Sequence, residues 1–299
     1  MWHYLNSNAI PFEVWITTVG LLVAATCSLL STYVVLRKMA LISEGVSHAG
    51  FGGIALAVFL GAHFPLLDSP VYGPYLQQAV AGIFCVVTAL LIGYFSRAKK
   101  VSEDSAIGIF LVASIAVGVL LLAMRRSLHG PRGVPVNAEQ LLFGQFTSAG
   151  FPDAVMALIL ALGCFLMVYL FYYELLYTTL DEQMARVNGV PTNFINLLLY
   201  IMISLVVVVG IRMVGGLMIT ALTVLPGATA NMLSRRFGGV LAASLLVGVS
   251  GSAVAIFAAI HPPLDNYPPG PILVLTLFLI FLVVWLGKKI FGTRQAARA

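Results

Sequence analysis

Nine long apolar segments, separated by short polar stretches, occupy most of this 299-residue chain. A helix needs about 20 mainly apolar residues to cross a bilayer. Only 9% of the residues are charged, against about 25% in soluble domains. The sequence therefore predicts an all-α polytopic membrane protein with about eight or nine transmembrane helices in a single domain over residues 1–299. The predicted spans are Phe12–Leu36, Val46–Leu60 (expected to begin earlier, near Met39), Gln77–Phe95, Asp104–Met124, Phe151–Tyr173, Thr192–Ile211, Met213–Leu233, Val240–Ile260 and Pro271–Leu286.

The basic residues predict how the chain is oriented. With the N-terminus outside and the C-terminus in the cytoplasm, 12 of the 16 lysines and arginines fall on the inner side, as the positive-inside rule requires. The outer side then carries Arg125, Arg126, Arg132 and Arg212. Cytoplasmic loops thus account for the net charge of +5, and the predicted location is the cytoplasmic (inner) membrane, with the lipid bilayer and not nucleic acid as the contact.

The segment from Ser43 to Leu60 carries an acid and an imidazole near its start, Glu44 and His48. Four residues correspond to about 40° around a helix, so both side chains leave one face and reach one point. Ionisable groups inside a membrane are costly and mark functional sites by default. The alternative is that Glu44 lies at a hydrated helix end and that His48 is a packing residue.

Small residues recur at every fourth position of the same segment, at Gly45, Ala49, Gly53 and Ala57. Such a stripe lets the backbone of another helix approach closely. We therefore predict a helix-packing face beside the polar face.

The predicted span Met213–Leu233 contains a proline and a glycine past its middle, Pro226 and Gly227. Proline removes one backbone hydrogen bond and kinks a helix. In a membrane, freed backbone groups must be buried in protein or line a water-filled path. Thr220, Thr223 and Pro226 are therefore candidates for lining a path, and a simple packing kink is the alternative.

A polar segment between two spans, TLDEQMARVNGVPTNF, is typical of a short capped helix. Asp181 and Glu182 supply negative charge at its start, and Gly189 follows its end. The sequence predicts a cytoplasmic docking helix over about residues 181–189; a solvated linker is the alternative.

These stretches together resemble the permease subunits of the ATP-binding-cassette importers for zinc, manganese and iron. LISEGVSHAGFGGIALA resembles that family's Asp-x-x-Ser-His signature, with Ser47 and His48 on the Ser-His pair and Glu44 on the acidic position. DEQMARVNGV is similar to the segment that docks on the ATPase, and VVVVGIRMVGGLMITALTVLPGATANML to the late glycine- and proline-containing span. SEDSAIGIF and LLFGQF also follow the pattern. The resemblance covers about Leu29 to Leu245 in collinear order, and it departs at Glu44, where the family usually has the shorter Asp.

The resemblance implies a dimer of permeases, preferably two copies of this chain, with an ATPase on each inner face and an extracytoplasmic binding protein that delivers metal. The implied ATPase-docking residues are Asp181, Glu182, Met184, Ala185, Arg186, Val187 and Gly189. Two copies of Glu44 and His48 would offer up to four ligands for zinc, or for manganese or iron with added water; Ser47 would lie beside the path. The metal is a transported substrate, and no permanently bound cofactor is expected. The sequence has no GxxxxGKS/T phosphate loop, so ATP hydrolysis is expected in the partner.

Three other classes of protein are alternatives to such a permease. A proton-coupled secondary metal transporter could also use an intramembrane Glu and His, but it needs no ATPase. A cobalamin or siderophore importer has similar partners but does not need paired metal ligands. An intramembrane metalloprotease would need the second histidine of H-E-x-x-H, which is missing around Glu44 and His48. Dependence of uptake on an ATPase separates the first alternative from the importer.

Overall fold

The computed structural model describes residues 12–64, 67, 73–97, 102–129, 150–260 and 269–296. These residues form helices and no strand, which confirms the all-α prediction. The helices are α1 Phe12–Leu36, α2 Ile42–Gly61, α3 Gly73–Arg97, α4 Glu103–His129, α5 Phe151–Leu170, α6 Tyr172–Leu180, α7 Glu182–Val187, α8 Thr192–Met213, α9 Gly216–Leu233, α10 Phe237–Ile260 and α11 Pro269–Ala296.

Nine of the helices in this described part are long and apolar enough to cross a membrane, in agreement with the predicted spans. The second span begins at Ile42, earlier than its apolar core. The fifth ends at Leu170 and not at Tyr173, because Phe171 leaves the helical conformation (φ −105°, ψ 28°). A separate helix, α6, begins directly after it. For the loop from Arg125 to Gly150 the sequence also predicts a short helix at the membrane interface, and residues 130–149 of this loop lie outside the described residues.

The chain divides into two compact units, each built from separate stretches of sequence. The first unit comprises Met1–Ala40, Gln145–Val190 and Leu217–Ala299, and contains α1, α5, α6, α7, α10, α11 and nearly all of α9. The second comprises Leu41–Gly144 and Pro191–Gly216, and contains α2, α3, α4 and α8.

In the first unit, α1 is the central helix and packs against α5, α6 and α10. Two hydrogen bonds join its buried polar residues to other helices. The Ser31 hydroxyl accepts from the Gly227 amide of α9 at 2.8 Å, and the Ser244 hydroxyl of α10 donates to the Ser28 carbonyl at 2.6 Å. Because hydrogen bonds between buried polar groups need matched positions, these contacts define how α1, α9 and α10 pack.

In the second unit, α2 packs against α3, α4 and α8. The small-residue stripe is divided between two of these neighbours. A Cβ added at Gly45 would lie 2.8 Å from the Ile107 side chain of α4, and one added at Gly53 would lie 2.7 Å from the Ala81 Cα of α3. Ala49 and Ala57 are fully buried. The stripe therefore packs against helices of its own chain.

Candidate functional site

Glu44 and His48 lie in the first two turns of α2 and contact each other directly. The His48 Nε2 and Glu44 Oε1 atoms are 3.0 Å apart, a distance at which an Nε2–H donates to the carboxylate. Their side chains remain 40% and 33% exposed for Glu44 and His48, respectively. The pair is therefore preorganised by its own hydrogen bond and is still accessible from one side.

The packing of α2 explains this accessibility. Ser43, Val46 and Ala49 are fully buried, so that side of the helix faces the protein interior. Glu44, Ser47 and His48 lie on the opposite edge and are partly exposed. The polar face of α2 that carries Glu44 and His48 is therefore partly exposed, although most of this helix is buried.

The chemistry of this pair suits a divalent transition metal. A carboxylate oxygen and an imidazole nitrogen are ligands that manganese, iron and zinc all accept. Among the residues that the structure describes, no group of three or more His, Cys, Asp and Glu side chains is placed to hold a metal ion. Within the described part of one chain, the candidate site offers two protein ligands, so further ligands would have to come from water or from another chain.

The candidate path residues on α9 lie in different environments. Thr223 is 1% exposed, and its hydroxyl donates to the Ile219 carbonyl of its own helix at 2.9 Å. Pro226 is buried, and its ring lies close to Gly248 of α10. Thr220 alone among the three is partly exposed. In this conformation Thr223 and Pro226 are therefore both buried, and only Thr220 is partly exposed.

The short capped helix predicted over about residues 181–189 is present as α7. The Asp181 carboxylate accepts from the amides of Gln183 and Met184, both at 2.9 Å, which is an N-cap. At the other end, Gly189 has φ +81° and the Val190 amide donates to the Ala185 carbonyl at 3.0 Å, as in a glycine-terminated helix. Both termini are therefore satisfied by residues within the segment.

The side chains of α7 divide into an inner and an outer set. Ala185 is 1% exposed and packs inward, whereas Met184 is 61% and Val187 82% exposed. Glu182 and Arg186 form an exposed ion pair at 3.2 Å. Ala185, which the resemblance implies as a docking residue, therefore packs on the inner side of α7. The outer set presents an apolar patch beside charged groups.

The sequence patterns do not predict one element, the separate helix α6 that precedes α7. The apolar run through Phe151–Tyr173 hides the break at Phe171. The signal that could have located it is a change of composition, since FYYELLYTTL replaces an aliphatic run by tyrosines, threonines and one glutamate.

Comparison with known proteins gives one consistent result. The family model described as the ABC 3 transport family matches residues 9–288. The manganese transport system membrane protein MntC of Halalkalibacterium halodurans is 33% identical over 243 residues, which cover 81% of this chain and 77% of that protein. The chelated iron transport system membrane protein YfeC of Yersinia pestis is 27% identical, with 98% of this chain and 92% of that protein covered.

A solved structure, PsaBC from Streptococcus pneumoniae in complex with Fab, matches with a TM-score of 0.75 and 24% identity. The match covers 93% of this chain and 92% of the other. At this level of identity the likeness concerns the fold, and it shows that the arrangement of helices has been observed before.

Proposed function

Because this chain belongs to the ABC 3 transport family, we propose that it is the permease subunit of an ATP-driven importer of divalent transition-metal ions. Manganese and zinc are the preferred substrates and iron is third. The observation that carries the proposal is the Glu44–His48 pair, held at 3.0 Å on the open face of a largely buried membrane helix. The names of the relatives, which include manganese and iron transport proteins, support the same class of substrate.

The metal path in this proposal lies between two copies of the permease. Each copy supplies one Glu44 and one His48, so a dimer offers two oxygens and two nitrogens. Two carboxylates neutralise a divalent cation, which makes their desolvation tolerable while the metal is bound. The partial exposure of both side chains in the single chain supports a partner at this face. The site should be weaker than a structural zinc site, because a transported ion must leave it.

The energy comes from an ATP-binding-cassette ATPase in the cytoplasm, and an extracytoplasmic binding protein delivers the metal. The N-terminus lies outside the cell and the C-terminus lies in the cytoplasm. All nine spans form one permease domain. The ATPase docks on the outer set of α7, where Met184 and Val187 expose apolar surface next to Asp181, Glu182 and Arg186. ATP hydrolysis drives alternating access of the metal path.

The experiment that tests this function is uptake of radiolabelled Mn²⁺, Zn²⁺ and Fe²⁺ by proteoliposomes that contain the permease with its ATPase and binding protein. We expect uptake of Mn²⁺ or Zn²⁺ that disappears when the phosphate-loop lysine of the ATPase is replaced. Uptake that survives this replacement and stops when a proton gradient is removed would identify a secondary transporter instead. Transport of cobalamin or a siderophore without metal-ion uptake would support the other alternative.

Docking of the ATPase on α7 can be tested with a single side chain. Val187→Asp places a charge in the most exposed apolar position of the helix, and we expect it to lower the affinity for the ATPase about tenfold or more, because a desolvated charge without a partner is costly. Val187→Leu keeps an apolar contact and should bind within about threefold of wild type. Affinity is measured by titration of the detergent-purified permease. Equal binding of both variants would exclude this face of α7.

A further inference from the structure

The docking helix is joined to α6 by a single residue. The Asp181 amide donates to the Tyr177 carbonyl at 3.0 Å and so ends α6, while the Asp181 carboxylate caps α7. Since both helices share this residue as a cap, no flexible linker separates them. A displacement of α7 must therefore be passed to α6.

The C-terminal end of α6 is bound to the end of α1 by a charged hydrogen bond. The Arg37 Nε–H donates to the Thr179 hydroxyl at 3.0 Å, and both side chains are partly buried. The Arg37 amide still donates to the Tyr33 carbonyl at 3.0 Å, and Lys38 follows with φ +60°. Arg37 thus directly follows the last residue of α1, and its backbone is held where the helix terminates.

The N-terminal end of α6 is connected to the same helix through aromatic rings. Tyr172, the first residue of α6, lies edge-on to Phe237 of α10 with centroids 5.9 Å apart. Phe237 in turn contacts Tyr33 of α1 at 5.6 Å. Tyr33 and Arg37 are four residues apart, so they share one face of α1.

Attachment at two points gives α6 a defined direction as well as a position. Residues 172 and 179 are about 10 Å apart along a helix at 1.5 Å per residue. If α6 were held at one end only, it could rotate about that end when α7 is displaced, and the displacement would not reach α1. A helix held at both ends transfers the movement to its support, which here is α1.

We propose that Arg37 is a positioning residue for energy coupling, which links the α6–α7 pair to α1 through Thr179. The inference rests on the proposed docking of the ATPase on α7. From α1 the movement has a route into the proline-containing helix α9, because the Ser31 hydroxyl accepts from the Gly227 amide of α9 at 2.8 Å. Nothing in the spacing of the sequence pairs Arg37 with Thr179, which are 142 residues apart.

The test is the number of Mn²⁺ ions transported per ATP hydrolysed in proteoliposomes that contain the permease, its ATPase and its binding protein. Arg37→Gln and Thr179→Val each remove the hydrogen bond, and we expect each to lower this ratio about fivefold, with the double variant no worse than either single variant. Affinity for the ATPase should stay within about twofold of wild type. Thr179→Ser keeps the accepting hydroxyl and should restore the ratio.

The matched control is Thr178→Val, on the neighbouring residue of the same helix. The Thr178 hydroxyl donates to the Glu174 carbonyl at 2.6 Å, so this hydrogen bond lies within α6 itself. Its loss should leave the ratio unchanged. If Arg37→Gln does not assemble, the comparison of Thr179→Val with Thr179→Ser and Thr178→Val decides the question alone.

Two results would overturn the inference. One is a wild-type ratio in both Arg37→Gln and Thr179→Val; the other is strictly additive losses in the double variant. If Val187→Asp weakens ATPase binding but these variants couple normally, only the role of Arg37 is excluded. If Val187→Asp has no effect on binding, the proposed docking itself fails.

Discussion

Alanine in place of Glu44 or His48 is expected to abolish metal uptake while the permease still assembles with its ATPase. In the proposed site each substitution removes one of the two ligands that a single chain would contribute. Changes around metal ligands that do not touch the ion already cost about 10- to 100-fold, so we expect a loss of at least about 100-fold here. The measurement is initial uptake of radiolabelled Mn²⁺ and Zn²⁺, together with co-purification of the ATPase.

Conservative variants at Glu44 show whether this side chain acts as a metal ligand or only as a packing residue. Glu44→Gln keeps the size of the side chain but removes its charge, and it should be as inactive as Glu44→Ala, because an amide does not neutralise a divalent ion. Glu44→Asp shortens the reach by one methylene and should retain uptake with a changed preference between Mn²⁺ and Zn²⁺. Leu60→Val, at the far end of α2, serves as the control. Uptake near the wild-type rate in both alanine variants would remove these residues from the mechanism.

The substitution Gly227→Ala is expected to prevent stable folding of the permease. The added Cβ would lie 2.5 Å from the Ser31 carbonyl oxygen and 2.7 Å from its carbon, and the backbone of α1 cannot rotate away as a side chain could. Overpacking costs about 1–3 kcal/mol, and loss of the hydrogen bond from the Gly227 amide to Ser31 would add about 1 kcal/mol. The measurement is the thermal midpoint of the purified permease in detergent, followed by size exclusion.

The control for this prediction is Gly163→Ala in α5. A Cβ at Gly163 meets nothing within 4 Å, and alanine is favoured over glycine in a helix by about 1 kcal/mol. We therefore expect Gly163→Ala to unfold at or above the wild-type midpoint and Gly227→Ala to unfold far below it. Equal midpoints would mean that α1 and α9 are not in close contact at this point.

The features predicted from the sequence are those that depend on neighbouring residues. The nine spans follow from the free energy of moving apolar side chains out of water. This free energy can be summed over a window of about 19 neighbouring residues. The caps at Asp181 and Gly189 follow from the needs of a helix terminus. The contact between Glu44 and His48 follows from helical geometry at a spacing of four residues.

The features that required the tertiary structure depend on residues far apart in the chain. Sequence periodicity does not say which side of α2 or α9 faces a neighbour, and only the structure shows that Thr223 and Pro226, the candidates for lining a path, are buried in this conformation. For the same reason, periodicity does not predict that the Ala185 side chain of α7 packs inward. The hydrogen bond from Arg37 to Thr179 exists only because packing brings the ends of α1 and α6 together. Local physics thus determined the helices and the contact between Glu44 and His48, and only long-range packing decided which faces of the helices are exposed.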